Sequence, residues 1–189
     1  MMNLVSTMLI MVSLCINGNK YWEYFSDSEK NMVLKSENIP GEVIKLYNGQ
    51  FILSDDDATF ELLDELTSRQ SDAGVKALYF HLFNRIFLSS DGALAEGISE
   101  YVVKVFLSDI PYALEYFTIN DELMEEYGVA LGTEFYYAPK LASPLFTSSY
   151  TFSQLKEKIK TDLDGSDKYD KLLSRFYKII ENTRKRLAD

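Results

Sequence analysis

Val75 to Leu107 reads VKALYFHLFNRIFLSSDGALAEGISEYVVKVFL, two long apolar segments joined by the turn-like Ser89-Ser90-Asp91-Gly92. In the first segment Lys76, His81, Asn84 and Arg85 are the only strongly polar residues. Wound at about 3.6 residues per turn they fall near one line, and the rest of that helix is apolar or aromatic. A helix of this kind has to be enclosed by its neighbours on most sides. In the second segment Leu94, Ile98, Tyr101, Val102, Val105 and Phe106 make one stripe, with Glu96, Ser99, Glu100 and Lys104 opposite. The pattern predicts a central antiparallel helical hairpin. It is a fold signal and carries no chemical signature.

The chain outside the hairpin reads the same way. Ser26-Asp27-Ser28-Glu29 has the form of a capping box that starts a short helix near Asp27. Pro40 opens another, with Val43, Ile44 and Tyr47 at helical spacing and Asn48-Gly49 as its end. Ser54 is the expected N-cap of a helix to about Arg69, with Asp55, Asp56 and Asp57 in its first turn, where the helix dipole favours negative charge. Ser71-Asp72 caps the hairpin. Asp109 or Ser108 caps a helix with Pro111 in its first turn, and Asn120 begins the next. Gly128 and Gly132 are weak points there, which leaves Val129 to Tyr137 open between helix and irregular chain. Pro139 to Ser149 is the best loop candidate. Thr151 and Gln154 form a second capping box, with Tyr150 and Leu155 placed for a hydrophobic staple. The last helix is expected from about Asp167 to Arg186.

No segment alternates with period 2 between turn signals, so no strand is expected. The predicted fold is an all-α, multi-helix domain of antiparallel hairpins spanning residues 19–189. Segments 55–69, 75–88 and 93–107 recur at roughly 18 to 20 residues, which raises a repeat-like stack, although their sequences are not alike.

Residues 1–18 stand apart. Leu4 to Ile16 is an uncharged, largely apolar run, short of the about 20 residues a membrane-spanning helix needs but right for the apolar region of an export signal. Val12-Ser13-Leu14-Cys15 partly resembles a bacterial lipoprotein box, with Leu14 where a small residue is usual. The expectation is a signal peptide or lipoprotein signal, with Cys15 a candidate for lipidation, and hence a periplasmic, cell-surface or secreted protein. The alternative is the first helix of a cytoplasmic protein. Cys15 is the single cysteine, so no intramolecular disulfide or cysteine-based metal site is available.

At 189 residues, 47% hydrophobic, the chain is long and apolar enough for one folded domain. Its net charge of -10 argues against nucleic acid and against anionic membrane surfaces as main partners. The charge is uneven: residues 1–150 carry 9 basic and 22 acidic side chains, and residues 151–189 carry 10 and 7. A basic arm seeking an anionic partner is one reading; a solvated face complementing an acidic body is the simpler one.

Few residues suggest chemistry. His81 is the only histidine, and Glu96 and Glu100 lie one turn apart on the neighbouring helix, so the three are the candidate acid–base or metal group. Asp162 to Asp167 faintly resembles a calcium loop, but its glycine is out of place. No G-x-S-x-G elbow, phosphate-binding glycine loop or dinucleotide fingerprint is present, and no cofactor or metal is expected. Two aromatic groups, Tyr21, Trp22 and Tyr24 with Phe25, and Phe135, Tyr136 and Tyr137, are candidates for contact with a partner. The expected function is a non-enzymatic, exported protein-binding or scaffold module with an unidentified protein partner, touching membrane only through a lipid anchor at Cys15. Two alternatives are an acidic immunity or inhibitor protein against a basic toxin or enzyme, and a hydrolase or metal-dependent enzyme using His81 with Glu96 or Glu100.

Overall fold

The computed structural model describes residues 21–68, 70–137 and 151–189, and every regular element among them is helical. A 3-10 turn (Trp22–Tyr24) precedes α1 (Asp27–Leu34), α2 (Gly41–Tyr47), α3 (Asp57–Leu66), α4 (Ala73–Ser89) and α5 (Gly92–Ser108). Then follow α6 (Ile110–Phe117), α7 (Asp121–Tyr137), α8 (Phe152–Asp162) and α9 (Asp170–Arg186). The proposed signal at residues 1–18, the loop at Pro139–Ser149 and Tyr150 of the staple lie outside the described residues.

Side chains start these helices. Both capping boxes form, Ser26 with Glu29 and Thr151 with Gln154. Asp72 accepts from the Gly74 and Val75 amides at 2.8 and 2.9 Å, and Asp109 from Tyr112 at 3.0 Å. Asn120 accepts from Leu123 at 2.9 Å. At α3 the cap is Asp56 and not Ser54. One Asp56 oxygen accepts the Ser54 hydroxyl at 2.7 Å and the other the Thr59 amide at 2.9 Å, so the carboxylate does what a hydroxyl could do only in part. The same helix stops at Leu66, short of Arg69. There Thr67 and Ser68 turn their hydroxyls back onto the carbonyls of Asp64 and Glu65. The last helix starts at Asp170 rather than Asp167: Asp164 and Gly165 take left-handed backbone angles (φ 49° and 70°), and irregular chain and a second turn at residues 168–169 follow before the helix begins.

The central segment is enclosed as expected. α4 buries ten of its 17 residues, and α1, α3, α5 and the 3-10 turn pack on it. Asn84, expected on the polar line, is buried instead, its Oδ1 accepting from the buried Tyr127 hydroxyl at 2.8 Å. All six residues of the α5 stripe are buried.

α7 runs unbroken to Tyr137 through both glycines. They are the contact surface for α9, the most extensive helix pairing in the fold. A methyl at Gly132 would lie 2.9 Å from the Ile180 carbonyl oxygen and 2.7 Å from Thr183 Cβ. One at Gly128 would lie 2.7 Å from Ile179 Cγ2. The missing side chains therefore open a notch for α9, and Phe176 enters the core beside Phe106 and Phe117, with ring centroids 5.4 and 5.6 Å away. A repeat of like hairpins is not confirmed: α3, α4 and α5 have 10, 17 and 17 residues, and α7 pairs most extensively with α9.

The basic C-terminal segment lies against the acidic body. Arg175 pairs with Asp121 at 3.2 Å and Lys168 with Glu115, while Lys156 and Glu181 join α8 to α9 at 3.2 Å. No helix among the described residues is long and apolar enough to cross a membrane.

Gly132→Ala weighs two effects against each other. Alanine favours an exposed helix over glycine by about 1 kcal/mol, whereas overpacking a close contact costs roughly 1–3 kcal/mol. Because the nearest atoms include α9 backbone, the clash wins, and the melting temperature should fall by about 3–6 °C. Gly41→Ala, where a methyl meets nothing within 4 Å, should melt at or above wild type. Equal melting of Gly132→Ala and wild type by calorimetry would refute the notch.

Candidate functional site

With one side of α7 committed to α9, its residues Glu126, Val129, Ala130, Thr133, Glu134 and Tyr137 are left to face elsewhere at i, i+3, i+4, i+7, i+8 and i+11. They form one wall of a groove of about 640 Å³, within the size range of ligand sites. Ala95, Glu96 and Ser99 of α5 form the other wall, and Phe87 near the end of α4 closes it. The surface is mixed: Phe87, Val129 and Ala130 are half-buried apolar groups, and Glu96 and Glu126 are exposed acids.

Glu134 is the unusual member. It is only 3% exposed, a rare state for a carboxyl group without a cationic partner. Its Oε2 lies 3.2 Å from Ser99 Oγ, while Oε1 is buried and has no hydrogen-bond partner. Burial pushes its pKa above the ordinary 4.5, the Ser99 hydrogen bond opposes this, and the charge on Glu100 adds to the rise. Ser99 Oγ also lies 3.2 Å from the Glu96 carbonyl oxygen. One hydroxyl proton serves one acceptor only. A protonated Glu134 lets both contacts be hydrogen bonds, with Oε2–H donating to Ser99 and Ser99 donating to the carbonyl.

His81 is not brought to Glu96 or Glu100. Its Nδ1 lies 2.8 Å from Glu23 Oε1, in the 3-10 turn, and the Tyr116 hydroxyl donates to the same oxygen at 3.1 Å. Burial raises the Glu23 pKa, but these hydrogen bonds outweigh it and hold the carboxyl below its ordinary value. Glu100 is held by Lys104 at 3.1 Å, and Glu96 sits on the groove. The physical reason is packing: the 3-10 turn lies on α4 and carries a carboxylate to the imidazole before α5 can. Among the described residues no three His, Cys, Asp or Glu side chains are arranged to hold a metal ion. Asp162 is paired with Lys158 at 2.9 Å, and Asp56 serves as a cap. A second, smaller cavity of about 150 Å³ contains Lys76, which is joined to Asp109 and lies 4.2 Å from the Tyr112 ring centre.

The aromatic groups divide. Tyr21, Trp22 and Phe135 are core residues, 5%, 3% and 4% exposed. Trp22 packs on Phe25 and Tyr47, Tyr21 on Tyr112 and Tyr116, and Phe135 on Phe152. They are packed into the bundle and are not presented to a partner. Tyr24 and Tyr137 are exposed, and Tyr136 is half-buried, edge-on to Tyr137. Of these only Tyr137 borders the groove. Cys15 lies outside the described residues.

Sequence reasoning did not single out Ser99, Glu126 or Glu134 as site residues. Their signal was the spacing from Glu126 to Tyr137, readable once α7 is known to continue through its glycines.

The raised pKa of Glu134 has a consequence for stability. The folded protein holds its proton more tightly than the unfolded chain, so stability from this group is greatest in acid. It falls as pH rises through the unfolded value near 4.5 and is fully lost above the folded one. Glu134→Gln, which cannot ionise, should therefore be at least as stable as wild type at pH 8, with the difference closing toward pH 4 in urea titrations. A Glu134→Gln protein less stable at pH 8 than at pH 4, relative to wild type, would contradict a desolvated carboxyl.

No protein-family model, curated protein or solved structure matches this chain.

Proposed function

We propose that this chain is a non-catalytic helical binding module whose groove between α5 and α7 receives a basic segment of a protein partner. One observation carries the reading: Glu96, Glu126 and Glu134 rim and floor a cleft whose remaining walls include Phe87, Val129 and Ala130. Apolar walls contribute affinity at about 25 cal/mol per Å² buried. The carboxylates select the sign of the ligand, and the net charge of -10 speeds encounter with a basic partner. The engagement of His81 with Glu23 supports a binding role over an acid–base one. An inhibitor of a basic toxin or enzyme would use the same surface by the same physics.

The groove is tested against net charge with a fluorescein-labelled peptide of alternating leucine and lysine. Glu96→Gln with Glu126→Gln should weaken binding about tenfold. Asp55→Asn with Asp57→Asn, the same change in net charge at the exposed start of α3, should weaken it by less than about threefold. Equal losses in the two double variants would mean that the peptide reads overall charge and that the groove has no part.

Export is the second element of the proposal and rests on the apolar run Leu4–Ile16. Intact mass of the chain from its native host should give a start after Cys15 or Gly18, or a diacylated Cys15 as the first residue. An unprocessed chain in the cytoplasm would remove this element and leave the groove untouched.

A further inference from the structure

We infer that the outer faces of α7 and α9 form a self-complementary surface on which a second copy of this chain docks about a two-fold axis. The inference does not rest on the groove, which lies on another side of α7. Its basis is two rows of opposite charge, side by side. Asp121 meets Arg175, Gly128 lies against Phe176 and Ile179, and Gly132 lies against Ile180 and Thr183. The two helices therefore run alongside each other in the same direction. At about 100° per residue, Lys171, Lys178 and Lys185 fall within about 40° of one another on α9, and Arg175 flanks them on the α7 side. All four are exposed, while Leu173, Phe176 and Ile180 are turned inward. On α7, Asp121, Glu122 and Glu125 are exposed acids, level with the part of α9 that carries Lys171 to Lys178.

One row of solvated charges specifies nothing. What differs here is which charges pair. At the seam the helices are close enough for Arg175 to meet Asp121 at 3.2 Å. Lys171, Lys178, Lys185, Glu122 and Glu125 make no ion pair within the chain among the described residues. They face solvent, where only another molecule can meet them. That molecule needs a basic row and an acidic row side by side, at the roughly 8–10 Å spacing of packed helices. The chain itself carries such a surface. A two-fold axis along the seam lays α9 of each copy over α7 of the other, with no shift along the helices. Lys171 and Lys178 of one copy then come within about one helical turn of Glu122 and Glu125 of the other, and the reverse holds by symmetry. Exposed ion pairs are individually weak and screened by salt, so the dimer is a weak one that forms at low ionic strength.

Sedimentation of the full chain tests this. Wild type should dimerise in about 20 mM salt, with a dissociation constant at least about tenfold higher in about 0.3 M salt. Lys171→Glu with Lys178→Glu should weaken the dimer about hundredfold, because attractions become repulsions in both halves of the interface. Glu122→Lys with Glu125→Lys should do the same, although it lowers the net negative charge and so relieves overall repulsion. An equimolar mixture of the two double variants should associate again, since each supplies the sign the other lacks. That recovery also shows that both are folded. Wild type that stays monomeric in low salt, a dimer that survives either reversal, or a mixture that stays monomeric overturns the inference. Growth beyond two copies overturns the two-fold arrangement. Wild type that stays monomeric and binds heparin overturns it too, and assigns the α9 row to an anionic partner.

Discussion

The close approach of α9 to α7 sets the geometry of the rest. Helix backbones come this near only where side chains are absent, and Gly128 and Gly132, one turn apart, supply the gap. Each glycine costs about 1 kcal/mol of helix propensity relative to alanine. That cost is offset because α9 brings Phe176 into contact with Phe106 of α5 and Phe117 of α6, and Phe117 in turn touches Tyr127 of α7. Aromatic pairs of this kind add roughly 0.5–1.5 kcal/mol each beyond the area they bury. Four helices from distant parts of the chain thus meet in one cluster. The notch also fixes the rotation of α7 about its axis. With the glycine side turned to α9, the row from Glu126 to Tyr137 has to look toward α5, and the groove is the consequence.

The other half of the molecule is organised by enclosure. α4 has so little polar surface that its neighbours must cover it, and several of them meet its polar side chains. The 3-10 turn brings Glu23 to His81, Asp109 at the start of α6 meets Lys76, and Tyr127 meets Asn84. The sole imidazole is thereby part of the scaffold. Tyr79 shows the same economy, its hydroxyl donating to Glu65 of α3 at 2.6 Å. The polar groups of the enclosed helix are used to fix neighbours in register, and the groove of about 640 Å³ lies beyond its end, at Phe87.

What could be read in advance follows from which signals are local. Caps at Ser26, Asp72, Asp109, Asn120 and Thr151, and the stripe from Leu94 to Phe106, depend on residues a turn or two apart, and they were legible. The fate of Gly128 and Gly132 depends on a helix some fifty residues later; propensity alone marks them as weak, and tertiary packing reverses the sign. Asn84 misled for the same reason, since only the arrival of Tyr127 makes a buried amide tolerable. The partner of His81 was misjudged because the hairpin seemed the nearest source of carboxylates, whereas the 3-10 turn, 58 residues earlier in the chain, lies closer in space. The aromatic runs looked alike in sequence, yet burial separates Trp22 from Tyr24 two residues on.

Glu134 is where the fold departs from its own economy. Elsewhere in the described core most polar groups find a partner, although the Tyr112 hydroxyl does not and Asn84 leaves one atom over. At Glu134 the neighbours make matters worse: burial and the charge on Glu100 both raise the cost of ionisation, and only the Ser99 hydrogen bond opposes them among the described residues. A leucine or glutamine there would suit the packing of α7 against α5 better, since either avoids burying an ionisable group. Sequences that are otherwise locally consistent break their rules mainly at sites that do something. The breach here lies in a cleft of mixed character, on the helix whose glycines seat α9.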